Sequence, residues 1–162
     1  MSIRGMKMQA AISQWFWAIC ILTLIVNGAF AWLRACKVYK DRPEERSRYM
    51  TVIKGYIAWP SIPWLAMGIG IMTGGVPSFY HFARVRDANP FVISFYICAF
   101  LLWVIGTHWV FARGGAELLA KYPVAITFVT TSRVVKIMWI FCFLAFLIGV
   151  LLLFVNEIPI PE

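Results

Sequence analysis

Residues 137–156 read IMWIFCFLAFLIGVLLLFVN, twenty consecutive residues without a charge. As a helix rising about 1.5 Å per residue, the run covers roughly 30 Å, the thickness of a bilayer's hydrocarbon core. A membrane barrel strand would alternate polar and apolar residues over about ten positions, and no such alternation occurs here. In lipid the backbone must satisfy its own hydrogen bonds, so a lone segment of this kind is expected to be helical.

Three further stretches share the pattern. Gln9–Leu33, Gly55–Ala83 and Asn89–Ala112 carry no Asp, Glu, Lys or Arg. Across the 162 residues 62% are apolar and 14% charged, whereas a soluble domain has about half apolar and a quarter charged. The sequence predicts an all-α integral membrane protein, a four-transmembrane-helix bundle forming one domain over 1–162. Its helices are expected at about 10–34, 56–80, 90–112 and 134–156, with cytoplasmic connections 35–55 and 113–133. Arg4, Lys7 and Ala29-Phe30-Ala31 imitate a signal peptide and its cleavage site. The intervening apolar run is too long for one, so the segment reads as a retained first span. No lipidation or glycosylation motif is recognisable.

Basic residues in short connections set orientation. The first connection holds Arg34, Lys37, Lys40, Arg42, Arg46, Arg48 and Lys54; the third holds Arg113, Lys121, Arg133 and Lys136. The second holds Arg84 and Arg86, and the N-terminus Arg4 and Lys7. The heavier side is the expected cytoplasmic one, which puts both termini outside the cytoplasm, in a bacterial inner membrane. The net charge of +8 then belongs to the membrane surface. Lys37, Lys40, Arg46, Arg48 and Arg113 are expected to meet anionic lipid headgroups. Nucleic acid is not an expected partner, because the basic residues form no separate domain. Trp15, Trp17, Trp32, Trp59, Trp64 and Trp109 lie near the span ends, where indoles anchor at the interface.

The connections have their own local grammar. Asp41-Arg42-Pro43-Glu44 has the spacing of a helix N-cap, and Glu44 to Arg48 offers an i,i+4 pair. Pro60 and Pro63 are expected to kink the second helix. Gly114-Gly115 should end the third helix, followed by two short turns over Ala116–Tyr122 with Glu117 paired to Lys121, closed by Pro123. A faint echo links Phe82-Ala83-Arg84…Pro90-Phe91-Val92-Ile93 with Phe111-Ala112-Arg113…Pro123-Val124-Ala125-Ile126. Its unequal spacing makes it a chance likeness.

Candidate chemistry is sparse. Gly68-Ile69-Gly70-Ile71-Met72-Thr73-Gly74-Gly75 has the glycines of a phosphate loop, but no lysine follows and the stretch is apolar. Ala66, Gly70 and Gly74, four apart, instead predict a seam for close helix packing. Parallel seams are expected on the other helices: Asn27 with Thr23, Ala31 and Ala35; Cys98 with Ser94, Ile105 and His108; Cys142 and Gly149 with Met138, Ala145 and Asn156. No cysteine sits in a CxxC pair, which leaves no thiol–disulfide or zinc pattern. No carboxylate lies at mid-span, as ion-coupled carriers commonly require. Of the two histidines, His108 is the candidate cofactor ligand, because a b-type haem is held by imidazoles. The helix between His81 and His108 keeps them from sharing one iron, so a second ligand would come from another chain. No cofactor is expected. The sequence reads as a non-catalytic accessory or scaffolding subunit of a larger membrane complex, partnered by the bilayer and by other membrane subunits or copies of itself. The alternatives are a homo-oligomeric channel or carrier for a small solute and, less favoured, a cytochrome subunit.

Overall fold

A computed structural model describes residues 3–122 and 131–155. Among the described residues the chain is all-helical. Its α-helices are α1 (Ile3–Asp41), α2 (Arg46–Met72), α3 (Pro90–Ala112), α4 (Gly115–Lys121) and α5 (Ser132–Val155). Short 3₁₀ turns at Pro43–Glu45, Phe79–Ala83 and Val85–Asp87 complete the order. Pro123, the Val124-Ala125-Ile126 half of the sequence echo and Asn156 lie outside the described residues.

Among the described residues three helical segments are long and apolar enough to cross a membrane: Ile12–Lys37, Pro90–Ala112 and Ser132–Val155. α2 has the length but is more mixed. It starts with Arg46, Arg48 and Lys54, and its apolar half is diluted by Tyr56, Trp59, Pro60, Ser61, Pro63 and Trp64. The exposed surface is apolar to a degree that water does not tolerate but lipid does: Phe141 is 69% exposed and Val155 63%.

Helix boundaries differ from expectation where local chemistry outweighs the apolar pattern. α1 continues through Asp41, past the expected start of the next helix; the residue flanking the 3₁₀ turn is Arg42, without a side-chain cap bond. α2 begins at Arg46, ten residues before the predicted 56, and ends at Met72 rather than 80. The stop is Gly74, which takes φ 74, a left-handed conformation open to glycine and costly to other residues. Pro60 and Pro63 lie inside α2 without ending it. Gly114 adopts φ 73 between α3 and α4, which is the expected helix stop.

α1 packs on α2 and α2 on α3, while α4 bridges α3 and α5. Among the described residues the helices meet in three apolar clusters. At one end Ala31 and Ala35 of α1 meet Val52 and Ile53 of α2 around Tyr122, which is 1% exposed. At the other, Met67, Val76, Phe82 and Val92 gather beneath Phe16, Trp64, Phe79 and Phe95. The third joins Val110, Ala116 and Val135 where α3, α4 and α5 converge.

Candidate interface sites

The C-terminal end of α1, the N-terminal end of α2, the C-terminal end of α3 and the N-terminal end of α5 share one side of the molecule. α4 lies there and ties them together. Glu45 receives the Tyr122 hydroxyl on one carboxylate oxygen and Lys121 Nζ on the other at 2.8 Å. Lys136 of α5 reaches Glu117 at 3.3 Å. The expected Glu117–Lys121 pair is therefore exchanged for two longer-range ones: α4 lies against other elements, and each charge finds a partner outside its own two turns. The Glu117 carboxyl is held below the ordinary carboxylate range, first by hydrogen bonding from its own backbone amide and then by Lys136 and Ser132, with desolvation opposing. Lys37, Lys40, Arg46, Arg48 and Arg113 all lie exposed on this side.

The opposite end is organised by one amide. Asn89 Oδ1 accepts from the backbone N–H of Phe91, capping α3, and its Nδ2 donates to the carbonyl of Gly75 across fourteen residues, both at 2.9 Å. Tyr96 donates to the carbonyl of Phe82 at 2.9 Å. His81 faces Ser78, with Nδ1 3.0 Å from Oγ.

His108 lies on α3 two residues before Val110. Two residues turn a helix about 200°, so His108 faces away from the cluster in which Val110 is fully buried. It is exposed, as are Ser94 and Ile105 on the same face, while Cys98 is half-buried. α3 separates His81 from His108. Among the described residues no group of three His, Cys, Asp or Glu side chains is placed to hold a metal ion. The four cysteines are unbridged.

The residues expected in packing seams divide. Gly70 is buried, and a Cβ there would lie 3.0 Å from that of Phe91. Ala66 is half-buried beside it. Gly74 lies past the end of α2, with open space around its α-carbon, and serves the turn rather than a seam. Asn27, Cys142 and Gly149 are exposed, and a Cβ at Gly149 would meet no atom within 4 Å. Close approach instead comes from aromatic or branched side chains seated on glycine. A Cβ at Gly68 would lie 2.6 Å from Trp17, one at Gly106 2.5 Å from Trp139, and one at Gly115 2.5 Å from Trp109; Ile57 fills the space over Gly28 in the same way. Trp139 also donates from Nε1 to Thr107 Oγ1 at 2.9 Å. Trp17 and Trp109, read from sequence as interfacial anchors, thus each occupy a packing position. The missed signal was available as a pairing of glycines with tryptophans on neighbouring helices.

Asn27 differs from the hydroxyls of the long helices. The hydroxyls of Thr23, Ser61 and Thr107 donate to carbonyls of their own helices, Ile19, Ile57 and Trp103. Asn27 has no hydrogen-bond partner among the described residues. No family model, no curated protein and no solved structure matches the chain.

Proposed function

We propose that the chain is a polytopic membrane protein with four crossing helices, α1, α2, α3 and α5, that acts as a non-catalytic accessory or scaffolding subunit of a larger membrane assembly. The observation that carries this reading is the incomplete cover of α5. Val135 is its one buried residue among those described, and the face bearing Met138, Cys142, Ala145 and Gly149 is open at its small residues. Small residues let helix backbones approach closely, and lipid alone gains nothing from them. The basic side is assigned to the cytoplasm of a bacterial inner membrane, with both termini on the other side. The second reading, a homo-oligomeric channel or carrier, draws on Asn27, a polar group at mid-span. A haem held by His108 and an imidazole of another chain is the third; His108 is exposed on α3.

Affinity purification in mild detergent followed by native mass measurement tests the proposal. A stoichiometric complex with different membrane proteins is expected, in a colourless preparation. A homo-oligomer alone would overturn it in favour of the second reading, and a Soret band lost in His108→Ala in favour of the third.

A further inference from the structure

The span of α1 runs from Ile12 to Lys37. Asn27 lies about 22 Å along the helix from the first and about 15 Å from the second, deep in the hydrocarbon. Its side chain is exposed and has no partner within the described chain. An amide carries two donors and an acceptor, and leaving them unmatched in an apolar medium is unfavourable. Acyl chains cannot supply the match. Nor can the helix's own backbone match the amide oxygen, since its interior N–H groups are already bonded.

Asn27 also sits in a pattern. Cys20, Thr23, Asn27, Phe30 and Arg34 follow one another at steps of three, four, three and four, the seam spacing of a left-handed coiled coil. The seam flanks the stripe of Gly28, Ala31 and Ala35 that is buried against α2. Thr23, Asn27 and Arg34 are exposed, Phe30 is 60% exposed, and Cys20 is half-buried. A single asparagine at a seam position fixes the register and number of helices in a coiled coil.

We propose that this seam binds α1 of a second copy of the chain, in a parallel two-fold dimer. Symmetry selects the occupant. Copies inserted in the same orientation hold Asn27 at the same depth, and an axis along the membrane normal brings the two amides together. Each then donates one N–H to the other's Oδ1. A different partner would need an amide or hydroxyl at that same depth on a matching face. Arg34 ends the seam three residues before Lys37, near the end of the span. The dimer is independent of the subunit reading above, since a larger assembly can contain two copies.

The experiment is oxidative cross-linking of the full chain in liposomes of phosphatidylethanolamine and phosphatidylglycerol, with Cys36, Cys98 and Cys142 replaced by Ser. Cys20 should give a disulfide-linked dimer, and so should Thr23→Cys in a C20S background. Leu22→Cys and Ile25→Cys, on the far side of α1, should not. Asn27→Leu should reduce the Cys20 dimer several-fold, and Asn27→Gln should retain it. Energy transfer between labelled full-length chains, followed as lipid is added, gives a second reading independent of the cysteine replacements. Equal cross-linking at 20, 22, 23 and 25, dimers unaffected by Asn27→Leu, or energy transfer that falls to zero on modest dilution would each overturn the proposal. So would cross-linking of Cys20 to another protein in native membranes with none between copies in liposomes. Cross-linking that succeeds while purification yields only copies of the chain would remove the subunit reading and leave the dimer intact.

Discussion

Trp139 is held to α3 at two successive residues: its indole N–H donates to Thr107 Oγ1 at 2.9 Å, and its ring occupies the space a Cβ at Gly106 would need, 2.5 Å from Cζ2. Trp103 meets Trp139 edge-on at 4.9 Å and stacks on Phe143 at 5.5 Å. Large rings thus span the gap between α3 and α5. Gly106→Ala is expected to push Trp139 off its seat and cost about 1–3 kcal/mol, the usual size of overpacking. Thr107→Val keeps both rings in place and removes the acceptor of the indole N–H, a loss of roughly 0.6 kcal/mol. Thermal unfolding in detergent should rank the glycine change as the more damaging; the reverse order would mean that the bond, not the fit, holds the helices.

Gly149 offers the complementary test. A Cβ there meets nothing within 4 Å, so Gly149→Leu is expected to leave the melting temperature of the isolated chain within about 0.5 kcal/mol equivalent of wild type. If the α5 face seats another subunit, the same change should abolish co-purification of that subunit. Unchanged co-purification would assign the face to lipid.

Asn89→Ala removes both the α3 cap and the tie to Gly75. A cost of about 0.5–2 kcal/mol is expected from the cap alone. Asn89→Asp keeps the acceptor for Phe91 but has no donor for the Gly75 carbonyl, and should fall between wild type and Ala. Hydrogen exchange at the first turn of α3 distinguishes the two losses: it rises in Ala and stays near wild type in Asp.

Glu117 gives a pH dependence of defined sign. Its carboxyl is held low in the folded chain. A depressed carboxylate contributes stability that is present above its unfolded value, about 4.3, and is lost as pH falls through the folded value. The α4–α5 tie through Lys136 should therefore weaken on acidification below the ordinary carboxylate range. Glu117→Gln should flatten that part of the profile. The group is fully exposed, so added salt should also diminish the effect. A profile identical in wild type and E117Q would assign the acid sensitivity to other carboxylates.

What was legible in the sequence was whatever depends on runs. Residues 137–156 give away a helix in lipid because twenty uncharged residues leave the backbone no other solution, and Gly114 marks a stop because its backbone conformation favours glycine. Pairings were less legible. Glu117 was matched with Lys121 because both lie on one short helix; the fold instead sets Lys121 against Glu45 and Glu117 against Lys136, a choice made by how α4 lies across its neighbours. Likewise Gly70 and Gly74 share a spacing, yet one is buried against Phe91 and the other is a turn. Spacing along a helix says which residues share a face and not where the helix stops. His108 was read as a candidate cofactor ligand and Asn27 as a seam residue. Their outward placement follows from which faces α1 and α3 give to other helices.

The tie from Glu45 to Lys121 and Tyr122 also constrains the order of events at the ribosome. Glu45 is made before α2 and α3, and its partners only after both. During synthesis, which runs from the N-terminus, the junction of α1 and α2 is left open until α3 has been laid down and the chain has returned to that end. The Ala31, Ala35, Val52 and Ile53 cluster lacks its central ring for that interval. A chain released before Tyr122 would hold the α1–α2 hairpin without the ring that packs against Ala31, Ala35, Val52 and Ile53.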